Sequence, residues 1–373
     1  MSLNNRYSFP EVKLGPDFAK ENLKNFKQLI DTALSFVVVS MPGVGVSSFL
    51  RYLSTQHFAH FIHIDLYDLP TLTQHEFYKL LLTELGGKSE SKTDEQLLSE
   101  SKEILKTLSQ KWGKIVLIFS RFDQLKKEFD WNFLSNIQSL TTVFPGKIVL
   151  IFTSTKPLHE IASEALTGGN LNFYSEQVYF QPYSKDDLKK LLKIEPARPT
   201  SKGRLEKLVD LSGGHNQLLH ILLRSQKEQP LLDNFVKMQL KELVDYLDYH
   251  QRKQLQKIAL GKQVKEIDEY LSGVGLVKNS QIFTPLLAEY IKINLPVKLP
   301  VKEGKLFKLL KIHIGQTVTK EEIFANIWGA DDGNATDWAL DALIYRLRKH
   351  PFIKSHGYTI ESQKKVGYTL IQT

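Results

Sequence analysis

Apolar residues follow two rhythms along this chain. Short continuous apolar runs recur at 36–39, 58–66, 114–119, 147–153 and 177–181. Each has the length and β-branched or aromatic content of a buried strand. Residues 17–34, 73–86 and 94–110 instead show the 3.6-residue spacing of amphipathic helices, the last strongly polar on one side. Continuous apolar strands alternating with helices predict a mostly parallel sheet covered on both faces. Ligands of such sheets bind at the carboxyl ends of the strands. Ser40, Ser120, Thr153 and Ser154 fall there.

The pattern changes after residue 184. Segments 185–194 and 203–225 are helical, separated by the proline-rich breaker 195–200. From 231 to 293 the helices are short and end in a hairpin with an Asn279–Ser280 turn. A proline-punctuated boundary at 295–300 opens a further module. Helical spacing resumes at 305–312, and Thr319 to Glu322 reads as a capping box opening a helix through Trp328. After a glycine-bounded turn at 329–333, residues 336–349 carry Leu340, Leu343, Ile344 and Leu347 on one stripe. Two strands at 358–361 and 367–371 flank a basic tip. Three helices and a hairpin make a winged helix-turn-helix.

Composition adds limits. With 373 residues, two or three domains are expected. A hydrophobic fraction of 42% and a charged fraction of 24% are those of an ordinary globular protein. No apolar run has the length of a membrane span, and the first residues lack the apolar core of a signal peptide. No cysteine is present, which excludes disulfides and thiolate metal sites and fits a reducing cytoplasm. The net charge of +8 leans toward a polyanionic partner, although excess lysine is also an ordinary solvated surface.

The first apolar strand runs into Ser40-Met-Pro-Gly-Val-Gly-Val-Ser47 and then a helix. Strand, glycine-containing turn and helix start are the setting of a phosphate-binding loop, G-x-x-x-x-G-K-[ST]. Pro42, Gly43, Gly45, Ser47 and Ser48 keep the scaffold, with Ser47 at the magnesium position. Val46 stands where the lysine belongs, and Ser40 replaces the first glycine. The strand at 114–119 ends in Ser120 and Arg121, where a P-loop ATPase places its magnesium-binding and water-polarising acids. Asp123 is displaced, and its plainer reading is a helix cap. Arg121 reads as a surface or ion-pair residue, with a phosphate contact as the alternative.

These blocks resemble the AAA+/STAND class of P-loop ATPases, including modules similar to archaeal origin-recognition initiators. The resemblance covers roughly 17–225 and rests on the loop, on Phe119-Ser-Arg-Phe-Asp-Gln-Leu125, on Thr153 to Thr155, and on Gly213-Gly-His-Asn216. It implies a nucleotide site at Ser40, Pro42, Gly43, Gly45, Val46, Ser47, Ser48, Ser120, Arg121, Thr153 and His215. Thr153 or Ser154 takes the sensor position. His215, in the lid, either contacts nucleotide or caps its own helix after the Gly-Gly turn. Segment 231–295 resembles the small winged helix that follows such lids. Its lysines and arginines (Lys237, Lys241, Arg252, Lys253, Lys257, Lys262) are diluted by Glu242, Asp245 and Asp248, the pattern of a packing spacer.

The C-terminal module resembles the OmpR/PhoB-type DNA-binding domain over roughly 296–373. The resemblance is carried by Val318-Thr-Lys-Glu-Glu-Ile323, Ile327-Trp-Gly329, Leu340 to Lys349, and Val366-Gly-Tyr-Thr-Leu370. It implies a third helix in the major groove and a wing on the backbone or minor groove. With Leu340, Ile344 and Leu347 inward, the helix presents Asp337, Trp338, Asp341, Ala342, Tyr345, Arg346 and Lys349. Trp338, Tyr345, Arg346, Arg348 and Lys349, with Lys364 and Lys365 of the wing, are the expected DNA contacts. The family's N-terminal four-stranded sheet has no obvious room here, unless the preceding module substitutes for it.

The sequence thus predicts an α/β P-loop NTPase fold at 1–184, a helical lid at 185–230, and two winged helix-turn-helix domains at 231–295 and 296–373. The expected protein is a cytoplasmic, transcription-regulator-like DNA-binding protein with duplex DNA as partner and no membrane. Its ATPase module, a candidate surface for self-association, is expected to lack hydrolysis. No catalytic residue and no metal site are assigned, and the only cofactor in view is weakly held ATP or ADP with magnesium. A nucleotide-hydrolysing switch and a protein-binding scaffold are the alternatives.

Overall fold

The structure is a computed structural model, and it describes residues 9–90, 92–195, 200–294, 300–329, 336–350, 353, 357–363 and 366–372. Two compact units are formed: Met1–Asp248 with Glu266–Asn279, and Tyr249–Lys265 with Ser280–Thr373.

The first unit is built on five strands, β1 (Phe36–Ser40), β2 (His60–Asp65), β3 (Ile115–Ser120), β4 (Ile148–Ser154) and β5 (Gln177–Phe180). They pair in the order β2-β3-β4-β1-β5, every pair parallel. The sequence registers this order in its polarity. Central strands β1, β3 and β4 are buried at every position, whereas the edge strands alternate or lie half-buried. A strand covered on both faces has no polar side to show.

Helices α1 (Lys20–Asp31), α2 (Val46–Ser54), α3 (Gln74–Glu84) and α4 (Asp94–Lys111) accompany the sheet. The polar helix α4 begins with a reciprocal capping box between Thr93 and Gln96. Phe77, Phe119, Phe122, Phe133 and Phe152 form a buried aromatic cluster, with Phe122 and Phe152 ring centroids 4.7 Å apart. Only one residue separates Phe122 from the end of β3, so the chain must turn sharply to bury it. Arg121 takes the left-handed conformation, φ +61°, to make that turn.

The lid helices are Lys185–Ile194, Lys202–Ser212 and Asn216–Arg224. The single helix expected at 203–225 is therefore two. Gly213 and Gly214, at φ +60° and +92°, cannot continue a right-handed helix, and His215 caps the next one. Chain from the segment expected as a small winged helix goes to both units. Helices Asn234–Asp245 and Glu269–Gly273 lie in the first, Tyr249–Ala259 and Pro285–Asn294 in the second.

In the second unit, helices Val301–Ile312, Lys320–Ile327 and Asp337–Lys349 pack with an antiparallel sheet in the order Thr317–Thr319, Gly367–Gln372, Tyr358–Gln363. Leu306, Leu310, Val318, Ile323, Leu340, Ile344, Leu347, Ile360 and Leu370 form their shared core. The third strand was not anticipated, because three residues are too short for alternation to register. The capping box is half present. Thr319 Oγ1 accepts from the Glu322 amide at 3.2 Å, but the Glu322 carboxylate pairs with His313 at 3.5 Å.

Candidate functional site

The loop between β1 and α2 holds its shape with glycines at left-handed φ, Gly43 at +73° and Gly45 at +110°. At the start of α2 the Ser48 amide donates to Gly45 O, and the Val46 and Ser47 amides lie ahead of the helix's own acceptors, the feature that lets such loops hold an anion. Together with the ends of β3 and β4 and lid helix Asn216–Arg224, the loop borders a cleft of about 820 Å³. Ser40, Pro42, Gly43, Gly45, Val46, Ser47, Ser48, Arg121 and Thr153 line it. Ser120 and His215 do not.

Ser120 is buried, and its hydroxyl lies 2.6 Å from His63 Nε2. Burial, reinforced by the Arg51 and Arg121 charges against an opposing contribution from Asp65, pushes the His63 pKa down to about 4. A neutral imidazole and a hydroxyl thus occupy the place of a magnesium-binding acid. Asp65, at the end of β2 in register with Ser120, is the nearest acid on the neighbouring strand. It accepts from Arg121 at 2.6 Å and from the Tyr67 amide at 3.1 Å.

Arg121 is thus an ion-pair residue, with its guanidinium 4.9 Å from the Tyr67 ring centroid. Its backbone amide donates to Thr153 Oγ1 at 2.7 Å, so this hydroxyl anchors the turn. Asp123 does not cap a helix. Its carboxylate accepts from the amide and hydroxyl of Thr155, at 2.8 and 2.6 Å, tying the loops after β3 and β4 together. The fully buried His215 caps its helix through Nδ1, which accepts from the Leu218 amide, while Nε2–H donates to the Pro42 carbonyl. Burial lowers its pKa to about 4, which keeps that neutral tautomer.

Charge in the cleft is committed internally. Arg51 donates to the buried Glu11 at 2.7 Å. Glu195, from the expected breaker, lies 2.5 Å from His220 and 3.4 Å from Ser48 Oγ. A carboxylate beside the residue after Ser47 disfavours a polyphosphate there. Among the described residues no cluster of His, Asp or Glu is arranged to hold a metal ion. This donor set does not fit a magnesium nucleotide: Val46 brings no charge, and Asp65 and Asp123 are occupied by protein donors.

The second surface of interest is the helix Asp337–Lys349. Leu340, Leu343, Ile344 and Leu347 are buried, which turns Trp338, Tyr345, Arg346 and Lys349 outward. Trp338 is 81% exposed, far from the local packing that its size invites. Tyr345 and Lys349 contact each other, the ammonium 4.4 Å from the ring centroid. Arg346 does not pair with Asp337 or Asp341. Its Nε donates at 2.8 Å to Glu303, a carboxylate buried on helix Val301–Ile312. Arg348 turns to the hairpin and donates to the Ile360 carbonyl and to Ser362 Oγ. Asp337 pairs with Lys320, and Asp341 accepts from the Tyr368 hydroxyl. Lys364 and Lys365 lie outside the described residues.

Asp65, Glu195 and Glu303 are the residues that sequence reasoning missed. Asp65 had a signal, an acid closing an apolar strand. Glu195 sat inside a breaker, and Glu303 opens a helix as any first-turn acid does.

Residues 294–370 match the family model described as "Transcriptional regulatory protein, C terminal". No curated protein matches the sequence. Among solved structures the chain is similar to a Walker-type ATPase of Pyrococcus abyssi, with 16% identity and a TM-score of 0.52 over 78% of this chain and 100% of that one. It is also similar to Cdc6p from Pyrobaculum aerophilum, with 15% identity and a TM-score of 0.44 over 100% and 93%. A third is the Orc1 protein of Aeropyrum pernix, solved in complex with DNA, with 12% identity and a TM-score of 0.42 over 96% and 91%. Among the described residues no helix is long and apolar enough to cross a membrane. The chain thus joins a fold like that of P-loop NTPases to a C-terminal region, residues 294–370, that matches the transcription-regulator C-terminal domain of the OmpR/PhoB type.

Proposed function

We propose that this protein is a DNA-binding regulator whose P-loop module does not hydrolyse ATP. The observation that carries the reading is the outward face of helix Asp337–Lys349. Trp338, Tyr345, Arg346 and Lys349 stand exposed there, within a region matching a transcription-regulator C-terminal domain. An aromatic and basic helix face backed by a rigid apolar core is what major-groove reading requires. Selection of bound sequences from a random duplex pool tests it. Enrichment of a common site is expected, and no binding to any duplex at low salt would remove the reading.

The cleft supports the second half of the proposal. Phosphoryl transfer is catalysed by positioning and charge stabilisation, and here the lysine is Val46 and the strand-end acid is Ser120. Loop amides hold any nucleotide modestly and with little help from magnesium. Magnesium-dependent ATP turnover is expected not to exceed that of a Ser47→Ala control. Turnover well above the control, and lost in Ser47→Ala, would restore the ATPase switch. The double change Val46→Lys with Ser120→Asp is expected to strengthen magnesium-nucleotide binding, as calorimetry would read.

A further inference from the structure

Every carbonyl from Pro42 to Gly45, four in a row, accepts a hydrogen bond from outside the loop. His215 Nε2–H donates to Pro42 O at 2.8 Å, and the Gln217 amide to Gly43 O at 3.0 Å. The Asn216 amide donates to Val44 O at 3.3 Å, and the Tyr183 hydroxyl to Gly45 O at 2.8 Å. Three donors belong to the first turn of one lid helix. The fourth stands just before the lid begins.

Steric fit reinforces the same contact. A Cβ on Gly43 would meet the Gln217 side chain at 2.3 Å, and one on Gly45 would meet the Tyr183 ring at 2.6 Å. A Cβ on Gly214 would strike the Tyr183 carbonyl at 2.3 Å, while the Tyr183 amide donates to Gly214 O at 3.0 Å. Glycine at 43, 45 and 214 therefore lets the loop, Tyr183 and the lid turn close on one another. Tyr183 is itself fixed, its ring 5.5 Å from both Phe18 and Phe180.

We propose that His215, Asn216, Gln217 and Tyr183 form a latch that holds the lid closed on the loop and sets the loop's shape without nucleotide. An N-terminal helix turn has amides to spend, and the carbonyls of Pro42, Gly43 and Val44 need donors, whereas Gly45 O also accepts from the Ser48 and Phe49 amides. In this chain each satisfies the other. Loop amides and loop carbonyls face opposite ways along the backbone, so the latch leaves the amide side open to a weakly held anion. The latch favours the closed lid by itself, so a ligand moves the lid only as far as its differential affinity for the two states exceeds what the latch contributes. The module acts as a fixed support rather than a nucleotide-driven switch. The latch goes beyond the proposed lack of hydrolysis and does not rest on it.

Hydrogen exchange on the full chain tests the latch, with and without millimolar magnesium-ATP. In the unmodified protein, the amides of Val44, Ser48, Phe49 and 216–219, all with acceptors in the structure, are expected to exchange equally slowly in both conditions. Tyr183→Phe removes one hydroxyl and keeps the ring. It is expected to speed exchange in both segments by roughly three- to tenfold, the effect of one lost hydrogen bond on local opening. Slow exchange that appears only with nucleotide would overturn the latch, as would a Tyr183→Phe protein that exchanges like the parent. His215→Asn keeps a helix cap but loses the donor to Pro42, and faster exchange at Val44, Asn216 and Gln217 is expected from it too. ATP turnover, measured on the same samples, reports separately on hydrolysis.

Discussion

Acidification from about pH 6.5 to about pH 4 is expected to remove on the order of 3 kcal/mol of stability from the N-terminal unit through His215 alone. In the unfolded chain this histidine takes up a proton near pH 6.5. In the fold, burial pushes its pKa down to about 4. Between those values the unfolded state binds more protons, so stability is full above pH 6.5 and falls as pH falls. Protonation would also destroy the Nδ1 acceptor that caps the lid helix. His63 acts in the same direction, since burial and the neighbouring Arg51 and Arg121 hold its pKa down to about 4 although Asp65 pulls the other way. Exchange of the protected amides of β1 and β3 across this range measures the effect on the first unit alone. His215→Asn, which caps without titrating, should flatten the pH dependence by about one proton. An unchanged slope in that variant would show that the imidazole is not the group responsible.

The strands were legible in the sequence because burial on both faces leaves no polar alternation. β1, β3 and β4 announced themselves as unbroken apolar runs and proved to be the central strands. The winged helix was legible from its blocks and from the stripe Leu340, Leu343, Ile344, Leu347, which became the core of the second unit. Strand Thr317–Thr319 was missed as too short, while the turn at Gly213–Gly214 with a His215 cap was legible although the apolar spacing of 203–225 ran through it as one helix. Within the cleft the sequence named the residue types but not their partners. Arg121 finds Asp65 across 56 positions, and Asp123 finds Thr155 across 32. Spacing along one chain carries no record of such pairs. They follow from strand order, which sets the ends of β2, β3 and β4 side by side.

Arg346 illustrates the same point on helix Asp337–Lys349 and carries the second large effect. Arg346→Ala is expected to cost roughly 1–3 kcal/mol on the preferred duplex and less on random DNA, if its guanidinium reaches a base edge. The buried Glu303 complicates a simple truncation. Losing Arg346 leaves that carboxylate unpaired, a structural cost that is separate from DNA contact. Combining Arg346→Ala with Glu303→Gln removes the stranded charge, so any remaining loss of discrimination belongs to the DNA contact. Lys349→Ala should behave differently. If Lys349 meets the DNA backbone as the proposed reading requires, its removal should weaken all duplexes alike and lower the salt slope by about one. Lys364→Ala and Lys365→Ala are expected to act as Lys349→Ala does. Fluorescence titrations of the full chain at several salt concentrations separate the two behaviours. The full chain is the proper reagent because helix Tyr249–Ala259 belongs to the same compact unit as the winged helix. If the double variant discriminates as well as the parent, Arg346 serves packing through Glu303, and base reading falls to Trp338 and Tyr345.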